Sequence, residues 1–275
     1  WEPTQEEVNL ATLHSLDLHQ VYWRHIEMNK IGEDLFRRSY PLTVEDGFLE
    51  FQGAFFDVRY LNDVLSGLSI SKESVELRLY EDPVPGMTYA IGADPAWGTG
   101  RDYSAAQVLS HDGRQVATMA SKTWRPEVLA ELSMQYNGAR VMVEANKGGG
   151  GSVVIEKLMQ YGVELWWGRR SESWVTSNSG RTRNGGWKGS KGPLYDHCRS
   201  QVNDDVLTLN DFPTVRQLLN IREDSIGRIE GANGMHDDLA MALALACWNL
   251  RTLPEPHGAR KLPFKRRHKA LATPF

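Results

Sequence analysis

The sequence has few of the residues on which several classes of protein depend. Among its 275 residues are only two cysteines, Cys198 and Cys247, which lie far apart and outside any CxxC or His/Cys cluster. This spacing argues against a zinc site and favours reduced thiols. The formal net charge of −4 excludes a uniformly basic nucleic-acid-binding domain, but it does not exclude local basic patches that contact phosphates.

Long apolar runs and targeting signals are missing as well. No stretch approaches the roughly 20 apolar residues that span a bilayer, so we expect no association with a membrane. The N-terminus begins at Trp1 and shows neither a methionine nor a signal peptide, which favours a segment cut from a longer polypeptide. A phosphate loop of the form GxxxxGK[ST] is also absent, since the nearest match, at 185–190, has the wrong spacing.

The sequence does contain the pattern of a mixed α/β domain. Apolar residues make up 41% and charged residues 24% of the chain, which is ordinary for a protein with a sizeable core. Three strands come first, the second and third joined by the hairpin turn at 111–113, and helices and strands then alternate. The predicted strands cover 88–93, 104–110, 115–121, 139–143, 163–167 and 206–209, and the predicted helices cover 126–137, 152–160, 191–202, 212–221 and 236–250.

Composition divides the chain into three parts. Residues 1–86 are predicted to form a helical extension and linker that ends in the proline-rich segment 81–86. Residues 87–252 are predicted to form the α/β domain, and 253–275 a basic tail.

Acidic residues stand at the ends of the predicted elements. Asp94 follows the first strand, Glu144 follows the strand after the first long helix, and the pair Asp237 and Asp238 begins the last helix. Because strand ends meet at one edge of an α/β sheet, we expect these carboxylates to converge. They would repel one another unless a cation lay between them, and Mg²⁺ or Mn²⁺ prefers such oxygen ligands. Two such ions roughly 3.5–4 Å apart catalyse phosphodiester hydrolysis in many enzymes.

Each acid also has an ordinary structural role that the sequence leaves open. Asp94 is suited to a turn or a helix cap, and one of Asp237 and Asp238 would complement the dipole of the last helix. Glu144 directly follows a buried strand, where a carboxylate without a partner is costly.

The segments around these acids resemble the nuclease motifs of the phage terminase large subunit. The first motif is similar to IGADPAWGTGRDYSA at 91–105, the second to YNGARVMVEAN at 136–146, and the third to MHDDLAMAL at 235–243. The segments 36–43 and 55–57 are similar to the connection between the ATPase and the nuclease of this family. The resemblance implies a ribonuclease-H-like domain that cuts double-stranded concatemeric viral DNA during genome packaging, with low sequence specificity.

The same resemblance implies a mechanism and partners. Asp94 would bridge two Mg²⁺ or Mn²⁺ ions, Glu144 would hold one of them, and Asp237 or Asp238 would hold the other. The ATPase domain of the same polypeptide, which this chain lacks, would be a partner, together with a portal protein and the small terminase subunit. The site of action would be the cytoplasm of the infected host.

Further residues are candidates for supporting roles. These candidates lie beside the acidic motifs and would assist the metals or contact a phosphate: Asp102, Lys147 and His236. Each also has an ordinary structural role. Asp102 would cap a turn, Lys147 would be a solvated loop residue, and His236 would form a hydrogen bond at the start of a helix. The polar segment 168–190 suits a loop that follows a DNA backbone, although polar loops are often simply solvated. The predicted DNA-contacting residues are Arg169, Arg170, Arg181, Arg183, Lys188 and Lys191.

Two other functions remain open on the sequence. Asp94 with the glycines at 98 and 100 faintly resembles the first phosphate loop of actin-like and sugar-kinase-like ATPases, although no second glycine-rich loop follows. A non-enzymatic DNA-docking module would use the acids only for caps and solubility. It predicts DNA binding without metal-dependent cleavage.

Overall fold

The computed structural model describes most of the chain. The described residues are 1–31, 36, 40, 53–69, 76–95, 103–122, 125–145, 150–168, 173–182, 184, 186, 188–232 and 235–253. The basic tail beyond residue 253 lies outside them, as do the predicted site residues Asp102, Lys147, Arg169, Arg170 and Arg183.

The secondary structure follows the predicted order of a mixed α/β domain. The described helices are α1 (Gln5–His14), α2 (Leu18–Ile31), α3 (Val58–Gly67), α4 (Pro126–Gln135), α5 (Gly151–Gln160), α6 (Lys191–Asn203), α7 (Phe212–Asn220) and α8 (Asp238–Arg251). The described strands are β1 (Leu77–Leu79), β2 (Tyr89–Asp94), β3 (Ser104–Ser110), β4 (Gln115–Ser121), β5 (Arg140–Val143), β6 (Ile221–Glu223) and β7 (Ile229–Gly231). Within the described residues no helix is both long and apolar enough to cross a membrane.

The main sheet has five strands in the order β1-β4-β3-β2-β5. The pairs β1–β4, β4–β3 and β3–β2 are antiparallel, and β2 pairs with β5 in parallel. The hairpin predicted at 111–113 joins β3 to β4 as expected. The strand predicted at 163–167 is reduced to an isolated bridge between Leu165 and Val141, and the one at 206–209 to a bridge between Thr208 and Arg114.

The sheet begins earlier in the chain than the predicted domain boundary at residue 86. β1 pairs with β4 through residues 77–79, and Leu61 and Leu65 of α3 lie in the same core as helices α6, α7 and α8. Helix α3 and strand β1 therefore pack as part of the α/β unit. A strand of three residues is too short to show the alternation that predicts strands from sequence.

The two faces of the sheet are covered by different helices. α6, α7 and α8 pack on the face that carries Leu109 and Met142, and α4 and α5 pack on the opposite face, which carries Ile91 and Val141. Both β2 and β5 are buried on both faces, as is typical of the central strands of an α/β sheet.

Gly92 allows α8 to lie directly on β2. A Cβ atom at this position would lie 2.2 Å from the carbonyl oxygen of Ala242 and 2.2 Å from the amide nitrogen of Ala246. The backbones of strand and helix therefore touch here, which only glycine permits. This contact sets the position of the start of α8 relative to the end of β2.

Candidate metal centre

The parallel pairing of β2 and β5 places Asp94 and Glu144 side by side. Asp94 is the last residue of β2, and Glu144 directly follows β5. Ala93 is in register with Val143, and the amide of Glu144 donates a hydrogen bond to the carbonyl of Ala93 at 2.9 Å. We call Asp94 and Glu144 the strand acids.

Asp237 and Asp238, which we call the helix acids, lie at the start of α8. Asp237 is the N-cap residue, yet among the described residues its side chain makes no capping hydrogen bond. The side-chain oxygen of Gln217 accepts hydrogen bonds from the amides of Leu239 at 2.7 Å and Ala240 at 3.2 Å. A glutamine therefore caps α8, and the ordinary explanation of Asp237 as a helix cap does not apply.

The strand acids and the helix acids form one acidic cluster. Burial raises the pKa of Asp94 well above its usual range, and the negative charges of Glu144, Asp238 and Asp237 raise it further. Carboxylates influence each other in this way only when they are close and poorly solvated. The structure thus brings together the four acids that the sequence placed at element ends.

The donor set of this cluster suits a hard divalent cation. Carboxylate oxygens are the ligands that Mg²⁺ and Mn²⁺ prefer, and a cation between the acids would remove the repulsion that raises the pKa of Asp94. Within the described part of the chain, no group of three or more His, Cys, Asp or Glu side chains is placed so that it could hold a metal ion. The fit therefore rests on the chemistry and convergence of the acids.

Lys191 contributes a positive charge to the cluster. Its Nζ lies 2.9 Å from Oδ2 of Asp237, and the residue is only 8% exposed. Tyr195, one turn further along α6, is fully buried, and its hydroxyl has no hydrogen-bond partner among the described residues. Burial, followed by the charge of Asp237, raises the pKa of Tyr195 well above its usual range. The sequence analysis predicted Lys191 as a contact of DNA and not as a partner of Asp237, and it did not identify Tyr195.

The solved structures that share this architecture include the large terminase nuclease of the thermophilic phage G20c. The large terminase nuclease of phage G20c with bound magnesium matches at 22% identity and a TM-score of 0.54, over 71% of this chain and 97% of that one. The same nuclease with bound cobalt matches at 23% identity and a TM-score of 0.53, with the same coverage. No protein-family model matches the chain, and no curated protein matches it significantly.

The chain has the fold of a large terminase nuclease. The predicted mixed α/β sheet flanked by helices is confirmed, and the three segments that resemble the terminase motifs supply the acids of the cluster.

The predicted DNA-contacting residues occupy different environments within this terminase nuclease fold. Lys188 is exposed, as expected of a residue that contacts DNA. The guanidinium of Arg181 forms an ion pair with Glu223, and Lys191 is turned inward to Asp237. His236 is exposed on one side of the cluster, with Nδ1 3.5 Å from Oδ2 of Asp238.

A cavity of about 200 Å³ opens beside Asp238 and His236. The edge of the His236 ring meets the Tyr103 ring at a centroid distance of 5.7 Å, and Nζ of Lys122 lies 5.0 Å from the centre of the same tyrosine ring. Arg216 also lines the cavity. The surface next to the helix acids therefore combines an aromatic ring with positive charge, which suits a nucleic-acid backbone.

Proposed function

We propose that the chain is a divalent-metal-dependent endonuclease that hydrolyses the phosphodiester bonds of double-stranded viral DNA during genome packaging. The observation that carries this proposal is the convergence of the strand acids and the helix acids at one edge of the sheet. The fold that holds them is shared with large terminase nucleases, one of which binds magnesium or cobalt.

We propose that the four acids hold two metal ions. Asp94 would be a ligand of both ions, Glu144 would hold one of them, and Asp237 or Asp238 would hold the other. When bound, Mg²⁺ or Mn²⁺ would lower the pKa of a water molecule and stabilise negative charge on the phosphate.

The architecture gives the cluster a rigid frame. The ladder between β2 and β5 holds the strand acids, and the contact of α8 with Gly92 holds the helix acids against them. Rigid placement matters because catalytic geometry tolerates displacements of only about 0.5 Å. No base-reading helix was recognised in the sequence, so we propose cleavage with low sequence specificity.

The environment of the acids favours a nuclease over a docking module. In a docking module the acids would cap helices or face solvent, whereas here Gln217 caps α8 and Glu144 is 6% exposed. Glu144 is buried and the other three acids are partly exposed, and a group of carboxylates in such surroundings costs stability unless it binds a cation.

The wider assembly follows the same proposal. We propose that the nuclease acts in the cytoplasm of an infected cell. Its partners would be an ATPase domain of the same polypeptide, a portal protein and the small terminase subunit. Lys188, Lys122 and the cavity beside Asp238 are proposed to face the DNA.

The test is incubation of the purified chain with plasmid DNA in Mn²⁺ or Mg²⁺, with and without excess chelator. We expect nicked and linear products with the metal and none with the chelator. Cleavage that persists in chelator would contradict a metal-dependent mechanism. DNA binding without cleavage would favour the docking module, and saturable ATP hydrolysis would favour an actin-like or sugar-kinase-like ATPase.

A further inference from the structure

We propose that Lys191 is a built-in counter-cation of the metal centre, which occupies Asp237 until a second divalent ion displaces it. The first ion would bind beside the strand acids, and the second would bind more weakly because it must compete with the ammonium group. This inference rests on the proposed function and deepens it, because it assigns an order to metal binding.

The ion pair of Lys191 has the features of an internal counter-ion. The residue is 8% exposed, and Nζ lies 2.9 Å from Oδ2 of Asp237 and 5.4 Å from the centre of the Tyr195 ring. A lysine is buried to this extent only when its charge is compensated. Asp237 supplies that compensation, and the ring face of Tyr195 adds to it.

The backbone around Lys191 is held in register with the strand acids. The Ser190 hydroxyl donates to the carbonyl of Val175 at 2.7 Å, and the amide of Lys191 donates to the carbonyl of Ser177 at 3.2 Å. The same segment joins the other side of the centre, because the amide of Ala145 donates to the carbonyl of Trp174 at 2.7 Å. Residues 174–177 thus tie the start of α6 to the end of β5.

The backbone just before α6 is also closely packed against residues 174–177. A Cβ atom on Gly189 would lie 2.1 Å from the carbonyl oxygen of Ser177, so the two chain segments touch there. Lys191 is therefore delivered to Asp237 by the fold, unlike a surface lysine that reaches a nearby carboxylate through its own flexibility.

The two halves of the centre differ in their ion pairs. No lysine or arginine of the described residues forms an ion pair with the strand acids. Asp237 has Lys191 as its ion-pair partner. A divalent ion bound to Asp237 would lie within a few ångströms of the ammonium and would be repelled by it.

Displacement of Lys191 from Asp237 gives it a new partner. A freed ammonium group at this position requires another anion, and the proposed reaction supplies one, the DNA phosphate. The second ion would therefore bind more readily when DNA is present, and the two-ion site would be completed only in the complex with DNA.

Calorimetric titration of the whole chain with Mn²⁺ alone tests this order. For the wild type we expect one tight ion and a second that binds more weakly. Lys191→Met keeps the length and the apolar stem of the side chain but removes its charge. It should tighten the second ion by about tenfold or more, because the repulsion by the ammonium group is lost, and leave the first within about threefold.

Lys188→Met is the matched control, because it removes the same charge from an exposed position three residues earlier. It should leave both affinities within about twofold. Asp237→Asn gives a second, independent variant. It should keep the tight ion and lose the weak one. Thermal melts in chelator establish that each variant is folded.

Three outcomes overturn the proposal. An unchanged second affinity in folded Lys191→Met would show that the ammonium does not compete with the ion. Loss of the tight ion in Asp237→Asn would show that the two ions are assigned wrongly. A wild-type chain that binds no Mn²⁺ would refute the proposed function itself, whereas the first two outcomes leave that function standing.

Discussion

Two acidic sites in this molecule differ in how the negative charge of their carboxylates is compensated. Asp211, at the start of α7, is fully buried and accepts hydrogen bonds from Nε of Arg78 at 2.6 Å, the amide of Thr214 at 2.8 Å and the hydroxyl of Tyr80 at 2.5 Å. The acidic cluster is made instead of carboxyl groups that face one another. In this cluster Lys191 forms an ion pair with Asp237.

The comparison distinguishes an acid whose charge is compensated within the fold from acids that we propose to bind metal ions. Around Asp211 the protein supplies a guanidinium, three hydroxyls and an amide, so the charge is compensated within the chain. Around Asp94 the neighbouring charges are negative, and its pKa is raised. Such a site costs stability until a ligand compensates it, which is typical of functional sites.

The largest effect is expected at the centre of the cluster. Asp94→Asn should reduce DNA cleavage by at least about a thousandfold, because it would remove the carboxylate that we propose both ions share, and each factor of ten corresponds to about 1.4 kcal/mol of barrier. Cleavage rates on plasmid DNA in Mn²⁺ measure the loss.

Asp112→Asn is the control for that substitution. Asp112 lies in the β3–β4 hairpin, where it accepts hydrogen bonds from Ser110 and Arg114. Its substitution should leave the cleavage rate unchanged. Comparable activity in Asp94→Asn and the wild type would contradict the assignment of the site.

The second effect concerns stability and should fall on the other acidic site. Asp211→Asn leaves Arg78 buried without its counter-charge, so we expect the free energy of unfolding to fall by about 3–5 kcal/mol. Urea denaturation measures this change. Asp63→Asn, at an exposed position on α3, should change stability by less than about 0.5 kcal/mol. Similar changes in the two variants would mean that the Asp211 network is not structural.

A third effect tests the frame of the cluster. Gly92→Ala places a methyl group against the backbone of α8, and overpacking of this kind costs about 1–3 kcal/mol. Because α8 carries the helix acids, the variant should also bind Mn²⁺ more weakly. Gly67→Ala is the control, since a Cβ there meets open space. Unaltered metal affinity in a destabilised Gly92→Ala would show that the contact serves the fold alone.

The smallest effect is a pH dependence of stability in the metal-free chain. The folded state raises the pKa of Asp94, so it binds the proton more tightly than the unfolded chain does. Stability from this group is therefore present at low pH and is lost as the pH rises from the unfolded pKa, about 3.9, through the raised folded value.

Asp94→Asn lacks this dependence, which makes the comparison direct. In chelator, the variant should melt about 2–4 °C above the wild type at neutral pH, with the difference shrinking towards pH 4. A difference that grows on acidification would reverse the sign of the proposed repulsion.

Much of the fold and the positions of the acids were predictable from the sequence. Strands β3 and β4 have the predicted bounds, and Asp94, Glu144 and the helix acids stand at the predicted element ends. These features are local, because the alternation of apolar residues and the residues that end an element lie within one segment of chain.

Other features depend on segments far apart in sequence and were not predicted. β1, β6 and β7 have three residues each, too few to show a period. Lys191 was expected on a DNA-contacting loop, and its partner Asp237 lies 46 residues away. Gly92 gives no local sign that a helix about 150 residues later packs against it.

The sequence by itself determined which residues are acidic and where along the elements they lie, since element ends are encoded by neighbouring residues. Only the tertiary structure decided what each acid meets. Asp211 and Asp94 both end a short apolar stretch of chain, yet one meets Arg78 and the other meets further carboxylates. The energy of a buried charge depends on its surroundings, and these are assembled by packing across the whole domain.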